Sequence, residues 1–366
     1  MYAIVVAKDE GLARALLLSL DGIVSGISVI GEVEALRRSS HCDAFFPLLL
    51  EPGPKAAEQL AAIANRIADD HRDTVIVPAD VPSCRRVIAA RGLLRCATFP
   101  APEEPQLEAC NDKWQFYNTC VLHEIQTPKT VFIGNKADAS YSRLKDALSL
   151  PFLIKPTCER DGAGVVLIGS DDDYRRVILD NTAYRYAPLI GQQYIPGEDV
   201  DISLLAFDGL TVCSAVQVRR GSLVRFIECE PLRDAASLLV ERIGYTGPLH
   251  LDARKHRDTG SIWLIEANPR IWGTINAARW CGLNFIAAGM ELACSKQSSE
   301  PEFLKDGYYP GLASALTETL FGRSGNTKIG RERRRFVSHL MFDPYEYYRL
   351  WDRVKSLSKR EAEKRF

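Results

Sequence analysis

The chain has little that would commit it to redox, membrane or nucleic-acid work. Its ten cysteines, at 42, 84, 96, 110, 120, 158, 213, 229, 281 and 294, include no CxxC pair and no Cys/His cluster at zinc spacing. They read as small core residues. No apolar run reaches the roughly 18 residues of a membrane span, and Met1 to Ala3 pass straight into a strand pattern with no basic leader. A cytoplasmic protein is expected. A net charge of −1 gives no field for gathering nucleic acid. The first strand-to-helix turn, AKDEGLARA (7–15), lacks the three glycines that let a backbone approach a pyrophosphate, which disfavours a nicotinamide domain. Cys158 lies in a glycine-containing loop, but the sequence indicates no His partner to activate it.

What is present suits a multidomain globular protein. The 366 residues are 46% hydrophobic and 25% charged, enough for two or three domains with proper cores. Residues 1 to about 100 alternate strand and helix patterns: MYAIVVAK, a helix from Gly11 to Leu20, GIVSGISVI, KAAEQLAAIANRIADDH, TVIVPA, PSCRRVIAARGLL. The Pro- and Glu-rich FPAPEEPQ (99–106) reads as a linker. A helix is expected over 107–125. Strands follow at VFI and PFLIKP, a helix opens at Ser170, and 200–207, 211–219 and 223–229 read as an antiparallel meander after LIGQQYI. Gly282 is expected to separate two helices, and the basic tail from about 322 reads as a helical extension.

Residues 248–274, PLHLDARKHRDTGSIWLIEANPRIWGT, hold the densest chemistry. Asp258-Thr259-Gly260 marks a hairpin turn; Asp252 lies seven residues before Thr259 and Glu266 seven after it. Folded about Thr259, the two carboxylates face each other with Cβ atoms roughly 5 Å apart. The second strand, Ile262 to Ala267, is apolar in both alternating sets, so burial on both sides is expected. Asp252, Glu266 and Asn268 offer oxygen ligands suited to Mg²⁺, and Arg270 adds a fixed fork for phosphate or an oxyanion. EANPR alone reads better as a β-turn with a salt-bridged Glu and Arg at the surface. Lys155 ends an apolar run, where a buried ammonium needs an anion. Gly162, Ala163 and Gly164 then form a loop whose N–H groups suit either phosphates or a plain hairpin turn.

The order of these parts resembles the ATP-grasp superfamily: a small α/β domain, Lys on a helix, Lys on a strand, a glycine loop, a hinge, and an acidic hairpin ending in E-x-N-x-R, across most of residues 1–295. HCDAFFPL (41–48) and TPKT are similar to the carbamoyl phosphate synthetase-like and carboligase branch. The resemblance implies an α/β and α+β ATP-grasp fold, with a Rossmann-like pre-ATP-grasp domain at 1–105, a central subdomain at 106–190, a metal-bearing subdomain at 191–321 and an extension at 322–366. It implies that Lys113 and Lys155 contact ATP phosphates, that 160–165 close over them, and that Gln192, Gln193, Tyr194 and Ile195 form the adenine hinge, a side-chain oxygen accepting from the exocyclic amine. Asp199, or else Glu198, would hold the ribose. Asp252, Glu266 and Asn268 would hold Mg²⁺, with Mn²⁺ a substitute. Arg270 would steady an acyl phosphate, helped by Arg219 or Arg220, because His250 stands where the D-alanine:D-alanine ligase branch has an arginine. The implied activity joins a small-molecule carboxylate to an amine or similar nucleophile, with a homodimer as the family habit. A phosphotransferase and a noncatalytic nucleotide-binding protein are the alternatives.

Overall fold

The computed structural model describes residues 1–53, 55–159, 162–295, 300–321 and 327–352. The chain opens with β1 (Tyr2–Ala7), α1 (Glu10–Leu20), β2 (Ile27–Gly31), β3 (Ala44–Pro47), α2 (Ala56–Asp70), β4 (Thr74–Pro78), α3 (Val81–Ala90) and β5 (Ala97–Thr98). These five strands make one parallel sheet in the order β3-β2-β1-β4-β5. β1 is buried along its whole length because its two faces serve two cores. Ala3, Val5 and Ala7 pack with α1 and with residues from the C-terminal half such as Ile275 and Phe285, whereas Tyr2, Ile4 and Val6 pack with α2. Asp9 and Asp80 cap α1 and α3 by accepting from the backbone N–H of Leu12 and Ser83, removing orphan donors at the helix starts.

The helix expected over 107–125 is two helices, α4 (Glu104–Asn111) and α5 (Lys113–Leu122). Asp112 between them is extended (φ −98°, ψ 128°), and its side chain accepts from Trp114 and Gln115 N–H. An N-cap aspartate out-competes helix continuation because it satisfies two donors at once. α4 also takes up the end of the expected linker. Cys110, Phe116 and Cys120 of these helices are buried in the core of the large sheet described below.

β6 (Thr130–Gly134), α6 (Tyr141–Leu148), β7 (Phe152–Pro156), β8 (Val166–Ile168), α7 (Asp171–Tyr174) and β9 (Leu189–Gln193) form an antiparallel four-stranded sheet, order β6-β9-β7-β8, over its own core of Ile133, Leu144, Phe152 and Ile178. Ser170 caps α7, which relaxes into a π-helical turn over Arg175–Leu179.

The largest sheet has seven strands. β10 (Gly197–Phe207), β11 (Leu210–Arg220) and β12 (Leu223–Ile227) are the expected meander; α8 (Glu230–Ile243) covers one face. β13 (Gly247–His256) and β14 (Ile262–Asn268) complete the edge nearest the four-stranded sheet, giving the order β14-β13-β10-β11-β12-β16, with β15 (Glu302–Leu304) on β11 and β16 (Gly307–Tyr309) at the far edge. α9 (Ile275–Trp280) and α10 (Phe285–Ser295) are separated at Gly282 as expected. α11 (Leu312–Phe321) and α12 (Lys328–Phe342) follow. The basic run on α12 lies against the body: Arg333 donates to the Trp280 carbonyl and sits 4.7 Å over its ring. The second basic run, KSLSKREAEKR, and Arg160 and Asp161 of the glycine loop lie outside the described residues. No described helix is long and apolar enough to cross a membrane.

β14 corrects one expectation. It is an edge strand with only one face fully buried. Ile262 and Leu264 face the core beneath, and simple alternation would send Glu266 there too. A bulge at Ile265 intervenes: Ala253 pairs with Leu264, but Asp252 pairs with Glu266. The extra residue reverses the alternation, so Ala267 takes the core side and Glu266 turns outward. The core face is thus Ile262, Leu264 and, past the bulge, Ala267, while Trp263 and Ile265 are only half-buried.

Candidate active site

Between the four-stranded sheet, the seven-stranded sheet and the start of α1 lies a cavity of about 1020 Å³. Its floor is a row of polar side chains in register across four strands. Gln217 of β11 pairs with Asp201 of β10, Asp201 with Asp252 of β13, and Asp252 with Glu266 of β14. One step along, Ser203, His250 and Asn268 make a second row. Strand alternation puts these residues on the cavity face while Ile202, Leu251 and Ala267 enter the core.

The electrostatics follow from burial of unlike charges. His250 Nε2 lies 3.1 Å from Asp252 Oδ1, and its Nδ1 is 2.9 Å from Ser203 Oγ. Burial alone would lower the imidazole, but the Asp252 hydrogen bond and charge carry it above its ordinary value. Burial likewise works to raise Asp252, and the His250 bond brings it below. Glu266 is raised, by burial first, against the pull of Lys113, whose Nζ is 3.3 Å from Oε2. Asp201 is pushed up to about 6, again by burial, with His250 opposing. Two half-buried carboxyls facing each other, one held up towards protonation, are an arrangement that a bound cation relieves. Among the described residues, Asp201, His250 and Asp252 also bring ligand atoms within 4.8 Å of one another.

Above the floor, Lys155 at the end of β7 is 6% exposed, and its Nζ donates to Gln192 Oε1 at 2.7 Å. Burial lowers it to about 8, with the Glu266 charge the main opposition. The anion expected beside this ammonium is therefore a neutral amide oxygen, with Glu266 acting across the cavity. That oxygen was expected at the adenine ring; here it serves Lys155, while Gln192 Nε2 donates to Thr130 Oγ1 at 3.3 Å. Lys113 Nζ also donates to the Glu159 carbonyl at 2.8 Å. Arg270 donates to the Ile271 carbonyl at 2.8 Å and to Asn268 Oδ1 at 2.9 Å, which ties its fork to the hairpin.

Most of the expected residues line this one cavity: Lys113, Lys155, Gly162, Ala163, Gln192 to Ile195, Asp199, Arg219, Asp252, Glu266, Asn268 and Arg270. Gly164 and Glu198 do not. Gly164, at φ +72°, serves the loop: a Cβ there would lie 2.7 Å from Pro156 and 2.8 Å from Tyr186. Glu198 alternates with Asp199 and falls on the opposite side of β10. Arg219 is exposed at the cavity's mouth. The Cys158 thiol is raised by partial burial and sits 3.3 Å from the Asp112 carboxylate, which removes thiolate character.

Sequence reasoning missed Arg254, Asp201 and Gln217. Arg254 Nη1 is 3.4 Å from Asp199 Oδ1, and its guanidinium lies 5.3 Å from the Tyr194 ring centroid. Its spacing two residues beyond Asp252 was the available signal, as was the Asp199/Asp201 alternation for Asp201. Gln217 became visible only with the strand pairing.

Residues 185–308 match the family "ATP-grasp in the biosynthetic pathway with Ter operon". The chain is 22% identical over 185 residues to the arginine-specific large chain of carbamoyl phosphate synthase from Bacillus subtilis (strain 168), covering 46% of this chain and 17% of that one. It is 23% identical over 145 residues to the N-terminal section of the carbamoyl phosphate synthase large chain of Methanopyrus kandleri, covering 34% and 26%. The matches thus span about a quarter or less of those relatives' lengths. In structure it is similar to an L-amino acid ligase from Bacillus licheniformis (TM-score 0.61, 16% identity, 80% of this chain and 74% of that). It is also similar to N5-carboxyaminoimidazole synthase from Aspergillus clavatus with ADP and 5-aminoimidazole ribonucleotide (0.65, 15%, 87% and 86%), and to the biotin carboxylase domain of Hydrogenobacter thermophilus 2-oxoglutarate carboxylase with MgADP and bicarbonate (0.63, 15%, 84% and 73%).

Proposed function

We infer, from the match of residues 185–308 to an ATP-grasp family and from the residues that line the cavity, that this chain is an ATP- and Mg²⁺-dependent ligase joining a small-molecule carboxylate to an amine. The observation that carries the reading is the convergence of Lys113, Lys155, Asp252, Glu266 and Arg270 on one cavity. The all-oxygen trio of Asp252, Glu266 and Asn268 suits Mg²⁺, and the tension between the two facing carboxyls fits a cation there. When bound, the ion neutralises phosphate oxygens and draws charge from the leaving group.

The chain's own groups supply position and charge. Lys113, beside Glu266, and Lys155, at the end of β7, offer two ammonium groups to the phosphates, and Lys155 gains its full charge only when an anion reaches it. Gly162, at φ +73° with open space around it, lets loop N–H groups turn towards a phosphate. Tyr194 and Arg254, one stacked over the other, form the end of the cavity where a base and ribose fit, with Asp199 beside them. The substrate carboxylate oxygen attacks the γ-phosphorus and ADP departs. Arg270, held by Asn268, steadies the acyl phosphate; the amine then attacks the acyl carbon, phosphate leaves, and the amine loses its proton. Positioning and charge neutralisation carry both steps.

A cytoplasmic location and a homodimer belong to the same proposal, and light scattering reads the second. The test of function is incubation with ATP, Mg²⁺ and a panel of amino acids and uronic acids. Release of ADP and free phosphate that depends on both a carboxylate and an amine supports ligation. A stable phosphorylated product without free phosphate replaces ligation by phosphotransfer, and absence of Mg²⁺-dependent ATP binding leaves a noncatalytic protein.

A further inference from the structure

We propose that Asp21, His41 and His339 form a site for a zinc-class divalent ion that fastens α12 to the N-terminal domain. The three residues are scattered through the sequence, and nothing in the histidine spacing announces them. The fold brings them together: Asp21 follows the end of α1, His41 precedes β3, and His339 lies in the last turn of α12. Each offers a ligand atom, and these lie within 4.8 Å of one another. Asp21 Oδ1 is 3.7 Å from His41 Nδ1.

The strongest pointer is a buried nitrogen without a partner. His339 is 5% exposed, and its Nε2 lies 3.2 Å from Asp343 Oδ2. Asp343 is 1% exposed and accepts from Ser39 Oγ at 2.6 Å and from Ser40 N–H at 3.0 Å. The Asp343 carboxylate faces Nε2, so Nδ1 is the nitrogen left open to a further ligand. That Nδ1 is buried and accepts no hydrogen bond among the described residues. A carboxylate behind one imidazole nitrogen, with the other left bare, is the arrangement that orients metal-ligating histidines.

The donor set decides the ion. Two imidazoles and one carboxylate suit zinc far better than Mg²⁺ or Ca²⁺, with water in the fourth position. Arg335 Nε, 3.6 Å from Asp21 Oδ2, occupies the other carboxylate oxygen and leaves Oδ1 to the ion. The His41 and His339 rings stack at 3.7 Å and 14°. Coordination in both ring planes requires one to turn, and His41, with 25% of its side chain exposed, has the room. The clamp would also steady the segment after α12, where Glu346 pairs with Arg14 and Tyr345 donates to Glu10 on α1, beside the Gly11 and Leu12 wall of the large cavity.

The proposal is independent of the nucleotide chemistry and is tested without nucleotide. Chelator-stripped full-length protein is titrated with Co²⁺, read by visible absorption, and with Zn²⁺, read by thermal shift. One equivalent is expected to bind and raise Tm. His41→Asn should weaken binding at least about 10-fold and abolish the shift, and His339→Gln should do the same. His250→Asn, which dismantles the other nitrogen-bearing cluster, should leave both signals. If His339→Gln fails to fold, the partly exposed His41 carries the test. Absence of any Zn²⁺-dependent shift, a shift that survives His41→Asn, or one lost in His250→Asn overturns the proposal.

Discussion

Lys155 makes the site's charge state depend on its ligand, and the dependence can be measured. Its ammonium is 6% exposed, donates to an amide oxygen at 2.7 Å, and is lowered from 10.5 to about 8, chiefly by burial. At pH 7 about one molecule in ten then carries a neutral Lys155, and at pH 9 about nine in ten do. A triphosphate against Nζ restores the charge. Binding of MgATP should therefore take up about 0.1 proton at pH 7, 0.5 at pH 8 and 0.9 at pH 9, with affinity falling about tenfold per pH unit above 8. Calorimetry in two buffers of different ionisation enthalpy reads the uptake, and Lys155→Met, which keeps the length without the charge, supplies the reference. Uptake that is flat from pH 7 to 9, or equal in wild type and Lys155→Met, refutes the reasoning. The same shift has a stability consequence. The folded chain releases this proton near 8 and the unfolded chain only near its ordinary value, so the unfolded state binds more protons between them and stability rises with pH there. The nucleotide-free Lys155→Met protein should lead wild type by up to about 3 kcal/mol below pH 8 and lose that lead by pH 10.5 in denaturant titrations.

Further outcomes follow from individual contacts. Gln192→Glu places a carboxylate where the amide meets Lys155, so the pH at which MgATP affinity breaks should move up by about one unit or more; an unmoved break contradicts the pairing. Glu266→Gln should lower kcat by about 100-fold or more while Tm stays within about 5 °C, read by coupled ADP assay and thermal melt. Arg270→Lys keeps the charge but loses the fork tied to Asn268 and Ile271, and should lower kcat about 100-fold with ATP affinity little changed. Away from the site, Gly289→Ala would press a Cβ to 2.1 Å from the Phe99 ring and should destabilise by about 1–3 kcal/mol in urea titration.

The acidic hairpin was legible because two local signals agreed. The turn residues set its centre, and equal spacing of Asp252 and Glu266 set their pairing, which the structure reproduces. Equal spacing about Thr259 hid the bulge at Ile265, because a bulge shows only when core and cavity faces can be compared. The N-terminal alternation of strands and helices gave a parallel sheet for a similar reason: buried runs separated by amphipathic helices leave few other solutions. The break at Asp112 was overlooked because helical periodicity passes through it unbroken, while capping depends on one side chain's geometry. Lys155 was identified as a buried cation, but its partner came from β9, where antiparallel pairing sets Leu153 against Gln192. Such pairings between distant segments carry no local trace, and that holds equally for Arg254 over Tyr194 and for His41 against His339.

The central claim is that the ion and the nucleotide tail meet at Asp252, Glu266 and Asn268. Crystals grown with Mn²⁺ and a nonhydrolysable ATP analogue, measured at the manganese edge, locate the ion directly. Anomalous density within about 2.0–2.4 Å of the Asp252 and Glu266 carboxylates, with the triphosphate running from there to Lys113 and Lys155, is the predicted result. Nucleotide bound elsewhere, or density at neither carboxylate, contradicts it.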